Sequence, residues 1–138
     1  MAKLVPRLKT LALAAKAASL GLSIDAEEAD PLALPLSFIG AVLVDPDLAG
    51  WDGVGVIVQA YGPRAGGIID HLYELAKRHN RQITIRLVKG AYWDSEIKQA
   101  QIHGLDGFPL FTTKAVTDIC FIANTHKLRP QYKAYFLA

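Results

Sequence analysis

The chain has 138 residues; half are apolar (51%), a fifth are charged (20%), and the formal net charge is only +2. That length and composition suit one globular domain with a buried core and exclude a disordered chain. So weak a charge gives no argument for nucleic acid or an anionic membrane as partner. The single cysteine, Cys120, excludes an internal disulfide and a cysteine-rich metal site, and it fits a reducing compartment. The apolar stretch Leu11 to Leu20 is short and interrupted by Lys16, and the start shows no secretory pattern. The expected setting is the cytoplasm, with weak docking to a membrane surface left open.

The first element is helical. Leu4, Leu8 and Leu11 recur with basic residues between them, Pro6 suits an opening turn, and Gly21 is a good stop after Ser19. Leu22 to Asp25 then reads as a short strand. Pro31 and Pro35 confine the next helix to about Leu36 to Val44. Val54 to Gln59 is a second strand, β-branched and almost wholly apolar, and Ile83 to Val88 is a third. Between them Ile68 to Arg78 is a clear amphipathic helix. Ser95 to His103 and Thr113 to Lys127 also read as helical. The strands begin roughly 30 residues apart, the length of one βα unit.

Buried parallel strands with covering helices make an α/β fold. A doubly wound sheet and a (β/α)8 barrel both begin this way. The polar strand ends favour the barrel: Asp25, Gln59, and Arg86 with Lys89 just beyond. Barrel enzymes gather their chemistry at the carboxyl ends of several strands. A dinucleotide fold instead needs a glycine-rich turn after its first strand. Here that turn reads Ala-Glu-Glu-Ala-Asp, which repels a pyrophosphate, and no G-x-G-x-x-G or Walker pattern occurs.

Three segments carry a resemblance. RLVKGAYWDSEIKQAQ (Arg86 to Gln101) resembles the signature of the FAD-dependent proline dehydrogenase barrel, as found in the large bacterial proline utilisation proteins. IDAEEAD (Ile24 to Asp30) and LAGWDGVGVIVQAY (Leu48 to Tyr61) agree with it in the same order. The similarity runs from about Pro6 to Leu128. It implies a (β/α)8 barrel holding FAD that oxidises L-proline to Δ1-pyrroline-5-carboxylate. Hydride passes from the ring carbon beside nitrogen to flavin N5, and electrons pass onward to a membrane quinone. It also implies a cytoplasmic protein with peripheral attachment at the inner membrane face.

The resemblance assigns roles residue by residue. Arg86 can stand beside flavin N5 and favour the electron-rich reduced ring; otherwise it is structural glue to Asp25 or Asp94. Gln59 can donate to and accept from the pyrimidine edge, or simply sit satisfied at a barrel rim. Asp25 faces the proline amine or a pocket cation, or caps a helix. Glu27, Glu28 and Asp30 read as solvated or capping. Val88, Gly90, Ala91, Tyr92 and Trp93 form the turn whose backbone meets the isoalloxazine, with Gly90 allowing close approach. Lys89 is a phosphate or flavin neighbour, or an ordinary rim charge. Thr112 and Lys114, entering a helix, suit a phosphate near the adenylate half of FAD, or else form an ordinary helix cap with a surface lysine. Thr113 stands where the pattern carries arginine, which weakens that grip. His71, His79, His103 and His126 form no ligand pair, and Cys120 reads as a packed thiol.

A complete barrel needs roughly 250 residues. The family's upstream lysine strand and its downstream histidine, tyrosine and paired arginines have no counterpart here, and Arg129 to Ala138 leaves the family pattern. The expectation is a partial barrel of about three parallel strands forming one domain over 1–138. By itself it is expected to be inactive and to need an oligomer or the missing barrel segments. The alternative is a non-catalytic remnant of that barrel.

Overall fold

The computed structural model describes residues 4–25, 33–128 and 134–136. Its centre is a four-stranded, wholly parallel sheet in the order β1 (Leu22–Ile24), β2 (Val54–Gln59), β3 (Thr84–Val88) and β4 (Ala134–Phe136). Each strand pairs with its sequence neighbour. Leu22 lies opposite Val54, Gln59 opposite Val88, and Arg86 opposite Tyr135. Sequential parallel neighbours with helical crossovers are how a β/α barrel is assembled. The fourth strand is an addition to the three expected, and it falls in the tail that departs from the family pattern.

The helices are α1 (Leu4–Ala17), α2 (Ala33–Val44), α3 (Ala65–Arg78), α4 (Trp93–Ile102) and α5 (Lys114–Leu128), with a 3-10 turn at Pro46–Leu48. Helix α1 packs on β1, α3 on β2 and α5 on β3. Strand alternation explains the core. Val54, Val56 and Val58 of β2 share a face with Ile85 and Leu87 of β3, and all five are buried with Ile69, Leu72 and Leu128 of the helices. At ~25 cal/mol per Å2 of apolar surface, each such side chain contributes about 1.5–3 kcal/mol. The opposite face carries half-buried Ile57, Gln59, Thr84 and Val88 and exposed Arg86.

Several boundaries differ from the sequence reading, each for a local reason. Helix α1 ends at Ala17, and Ser19 just beyond it takes φ 55°, so the chain turns out of the helix before Gly21 is reached. Leu20 N donates to Ala15 O at 2.9 Å, so the C-terminal carbonyls are satisfied before the glycine is reached. Helix α2 begins at Ala33, with Pro35 inside its first turn. Proline is tolerated there because the first amides of a helix have no intrahelical acceptor. Helix α3 begins at Ala65 rather than at Ile68 and so takes in Gly66 and Gly67. Strand β3 begins at Thr84, so Arg86 stands in its middle rather than at its end.

Candidate functional site

At the carboxyl ends of β2 and β3 the chain forms a cleft of ≈ 480 Å3. Tyr61, just past β2, makes one wall, and Lys89 and Gly90 from the turn after β3 make a second. Trp93, the first residue of α4, closes a third side. The amino end of α5 supplies Thr112, Lys114, Thr117 and Asp118. Backbone hydrogen bonds hold these segments together. Ala60 N donates to Val88 O and Tyr61 N to Lys89 O, both at 2.8 Å, so the β2–β3 ladder continues past the strands. Phe111 N donates to Tyr61 O at 2.7 Å, and the Trp93 indole donates to Phe111 O at 2.8 Å.

The charges in the cleft are organised around Lys89. Its ammonium lies 2.8 Å from Asp118 Oδ1 and 5.9 Å from the centre of the Phe121 ring. The hydrogen bond from Lys89 holds the Asp118 carboxyl below the usual carboxylate range, against a smaller opposing effect of burial, and the charges of Lys89 and Lys114 add to it. Lys114 stands exposed at the start of α5, beside exposed Thr112. Burial pushes the Tyr61 phenol up to about 12, with Glu96, Tyr92 and Asp25 adding to the shift. The phenol therefore stays protonated over the physiological range.

Most residues singled out from the sequence fall into two groups. Gly90, Trp93, Thr112 and Lys114 line the cleft with Lys89. Gln59, Arg86 and Val88 share the open face of the sheet, where the register sets Gln59 opposite Val88 and Arg86 opposite Ile57. Asp25 follows β1 directly and is exposed, close enough to raise the Tyr61 phenol. Ala91 and Tyr92 are exposed in the turn, and Trp93 belongs to α4 rather than to that turn. Among the described residues Arg86 makes no ion pair with Asp25 or Asp94. Glu27, Glu28 and Asp30 lie outside the described residues. Cys120 is half-buried, accepts from Asn124 Nδ2 at 3.2 Å, and burial pushes its thiol up, as suits a packed group. Among the described residues no cluster of histidine, cysteine and carboxylates could hold a metal, and no helix is long and apolar enough to cross a membrane.

Sequence reasoning gave no role to Tyr61, Thr117 or Asp118. Tyr61 closes the quoted segment Leu48 to Tyr61, two residues past Gln59, so a signal for it was present. Asp118 lies one helical turn after Lys114 and had no signal until Lys89 was brought against it.

Parallel neighbouring strands, helices on one face, and polar groups gathered at the carboxyl ends define a segment of a (β/α)8 barrel. The chain matches the proline dehydrogenase family profile over residues 1–138, and it belongs to that family. It is 51% identical over 128 residues to the bifunctional protein PutA of Salmonella typhimurium, covering 93% of this chain and 10% of that one. It is 52% identical over 125 residues to PutA of Rhizobium meliloti, covering 91% of this chain and 10% of the relative. The chain thus spans about a tenth of the length of the curated relatives it matches. A crystal structure of proline utilization A from Bradyrhizobium japonicum superposes with a TM-score of 0.93 at 52% identity, over 99% of this chain and 14% of that one. Proline utilization A from Bdellovibrio bacteriovorus, in a structure described as inactivated by N-propargylglycine, gives 0.89 at 25% identity, over 98% of this chain and 14% of that one.

Proposed function

We propose that the protein oxidises L-proline to Δ1-pyrroline-5-carboxylate with FAD as its redox group and a membrane quinone as the onward electron acceptor. The observation that carries this reading is the pairing of two polar surfaces at one end of a parallel sheet. One is the open face with Gln59 and Arg86; the other is the cationic cleft with Lys89, Thr112 and Lys114. Family membership supplies the reaction class.

The donor set fits FAD. Lys89, Lys114 and the Thr112 hydroxyl, at the amino end of a 15-residue helix, suit a pyrophosphate or adenylate. The Asp118 carboxylate would oppose an anion, but Lys89 already pairs with it. Gln59, with an amide that donates and accepts, suits a pyrimidine edge, and Arg86 and the Val88 to Trp93 backbone suit the ring system. FAD, when bound, supplies a two-electron hydride acceptor. The chain's own residues hold and orient. Arg86 places positive charge on the open face, where an electron-rich ring gains most. Asp25 places a carboxylate just past the carboxyl end of β1, where it can pair with a cationic secondary amine. Tyr61 keeps its proton and adds no charge.

The setting proposed is the cytoplasm, with peripheral contact to the inner membrane face for quinone access. The test is direct. The full-length protein is purified, its flavin is identified after release, and dye reduction is followed with L-proline. Stoichiometric FAD and proline-dependent reduction are expected. A flavin-free protein, or a flavoprotein silent toward proline, would defeat the reading.

A further inference from the structure

We infer that Tyr61 is a positioning residue: its buried ring is the floor on which the Gly90 turn rests, and so it sets where the Lys89 to Tyr92 backbone stands beside the open face of the sheet. The inference rests on the flavin reading above and adds to it a residue which that reading leaves without a role.

Three observations converge. First, Gly90 has φ 136°, a conformation that L side chains rarely adopt, and a Cβ built there would run into the Tyr61 ring. The turn backbone therefore lies directly on that ring. A glycine is needed both for the dihedral and for the close approach. Second, Tyr61 holds neighbouring loops through its own backbone. Its N–H donates to Lys89 O at 2.8 Å, and its carbonyl accepts from Phe111 N at 2.7 Å. Phe111 O in turn accepts the Trp93 indole, which fixes the start of α4. Third, the ring is buried at 8% exposure, although both loops it joins carry exposed side chains, including Tyr92, Trp93 and Phe108. A rigid buried ring under two exposed loops can transmit a fixed height to both.

A residue with this role differs from one that merely fills the core. Removing its ring should move the turn and so change the surroundings of the bound flavin. A space-filling role would lower stability and leave the bound flavin as it was. The phenolic hydroxyl is not required, because the contact with Gly90 is made by ring carbons.

The experiment uses the full-length protein as parent, Tyr61→Leu and Tyr61→Phe. Hydrogen exchange is followed in peptides covering 89–93 and 108–112, alongside the absorbance spectrum per bound flavin. In Tyr61→Leu exchange in both peptides should rise on the order of tenfold, with a shifted flavin band. Tyr61→Phe should return both readouts to the parent's. Gly90→Ala presses on the same contact from the other side and should reproduce the Tyr61→Leu changes; it stands in if Tyr61→Leu fails to fold. Unchanged exchange, an unchanged spectrum, or failure of Tyr61→Phe to restore them overturns the inference. A parent that binds no flavin overturns the flavin reading instead, and the exchange data alone then decide whether Tyr61 sets the turn.

Discussion

The two ends of the sheet are built differently. At the amino ends several long polar groups are spent on the fold. The Arg81 guanidinium donates to Leu43 O at 2.9 Å and Trp51 O at 2.6 Å, joining the end of α2 to the approach to β2. The Trp51 indole donates to Leu20 O at 3.2 Å, just before β1. Asp52 accepts from Gln82 N at 3.2 Å, and Lys16 donates to the carbonyls of Asp47 and Ala49. Toward the carboxyl ends the groups face a cleft or an open face: Lys114, Thr112, Gln59 and, in mid-strand, Arg86. The difference teaches where substitutions should cost stability and where they should cost chemistry.

Two arginines only five positions apart make the sharpest test. Arg86 is exposed on the open face, so Arg86→Ala should barely move the melting temperature. It should lower the rate of flavin reduction by proline about 100-fold, the scale of losing one preorganised charge beside developing negative charge. Stopped-flow reduction normalised to bound flavin reads this. Equal losses of thermal stability and flavin content, with normal turnover per flavin, would make Arg86 structural and erase the contrast. Arg81 should behave in the opposite way. Its side chain is 8% exposed and joins two carbonyls from different elements. Arg81→Ala should cost about 2 kcal/mol of unfolding free energy, since charged hydrogen bonds are lost and their acceptors stranded. Turnover per bound flavin should stay at the parental value. Denaturant melts and single-turnover kinetics on one preparation separate the two effects.

The strands and the open-face residues were legible because β-branched runs between turn residues have few other readings. Val54 to Val58 could hardly be anything but a buried strand, with Gln59 and Arg86 read as polar strand ends, and the parallel register sets Gln59 and Arg86 on one face. The cleft was less legible. Its walls come from segments some 30 to 50 positions apart, and nothing local shows that Lys89 meets Asp118 or that Gly90 rests on Tyr61. Strand β4 was missed because Ala134 to Phe136 is too short for an alternation to register and is strand only by pairing with β3. The end at Ala17 was not legible because the positive-φ turn at Ser19 is set by the whole helix end, whereas Gly21 advertises itself.

Tyr61 connects the two kinds of behaviour, because it is buried like a core residue but stands at the open end. Its phenol rises from 10.0 to about 12 on folding. The native state therefore holds the proton more tightly than the unfolded chain. The resulting stabilisation is fully present below pH 10.0 and is lost as pH rises through about 12. Unfolding free energy should decline with pH across that window, and Tyr61→Phe should remove this part of the decline. Denaturant melts at several pH values between those limits provide the measurement. An identical decline in Tyr61→Phe would mean that the ring is not titrating as a buried phenol.

The smallest effect is expected at the amino-end surface. Lys9 bridges Asp45 and Asp47 at 2.8 Å each, tying α1 to the 3-10 turn. The hydrogen bonds to Asp45 and Asp47 raise the Lys9 ammonium, and the bond from Lys9 lowers Asp45. The depressed Asp45 contributes above its ordinary 3.8 and is lost as pH falls further, while the raised Lys9 contributes below 10.5 and is lost as pH climbs. Both contributions are therefore present at neutral pH, yet Asp47 is exposed and Lys9 and Asp45 are partly exposed, so the interaction is weak and molar salt, with a screening length of roughly 3 Å, weakens it further. Lys9→Met should shift the melting midpoint far less than Arg81→Ala, and molar salt should abolish the difference from the parent. The amino end would then owe its strength to the buried guanidinium and the indole. A Lys9→Met effect as large as that of Arg81→Ala, and insensitive to salt, would show instead that the attachment of α1 depends on its surface charges.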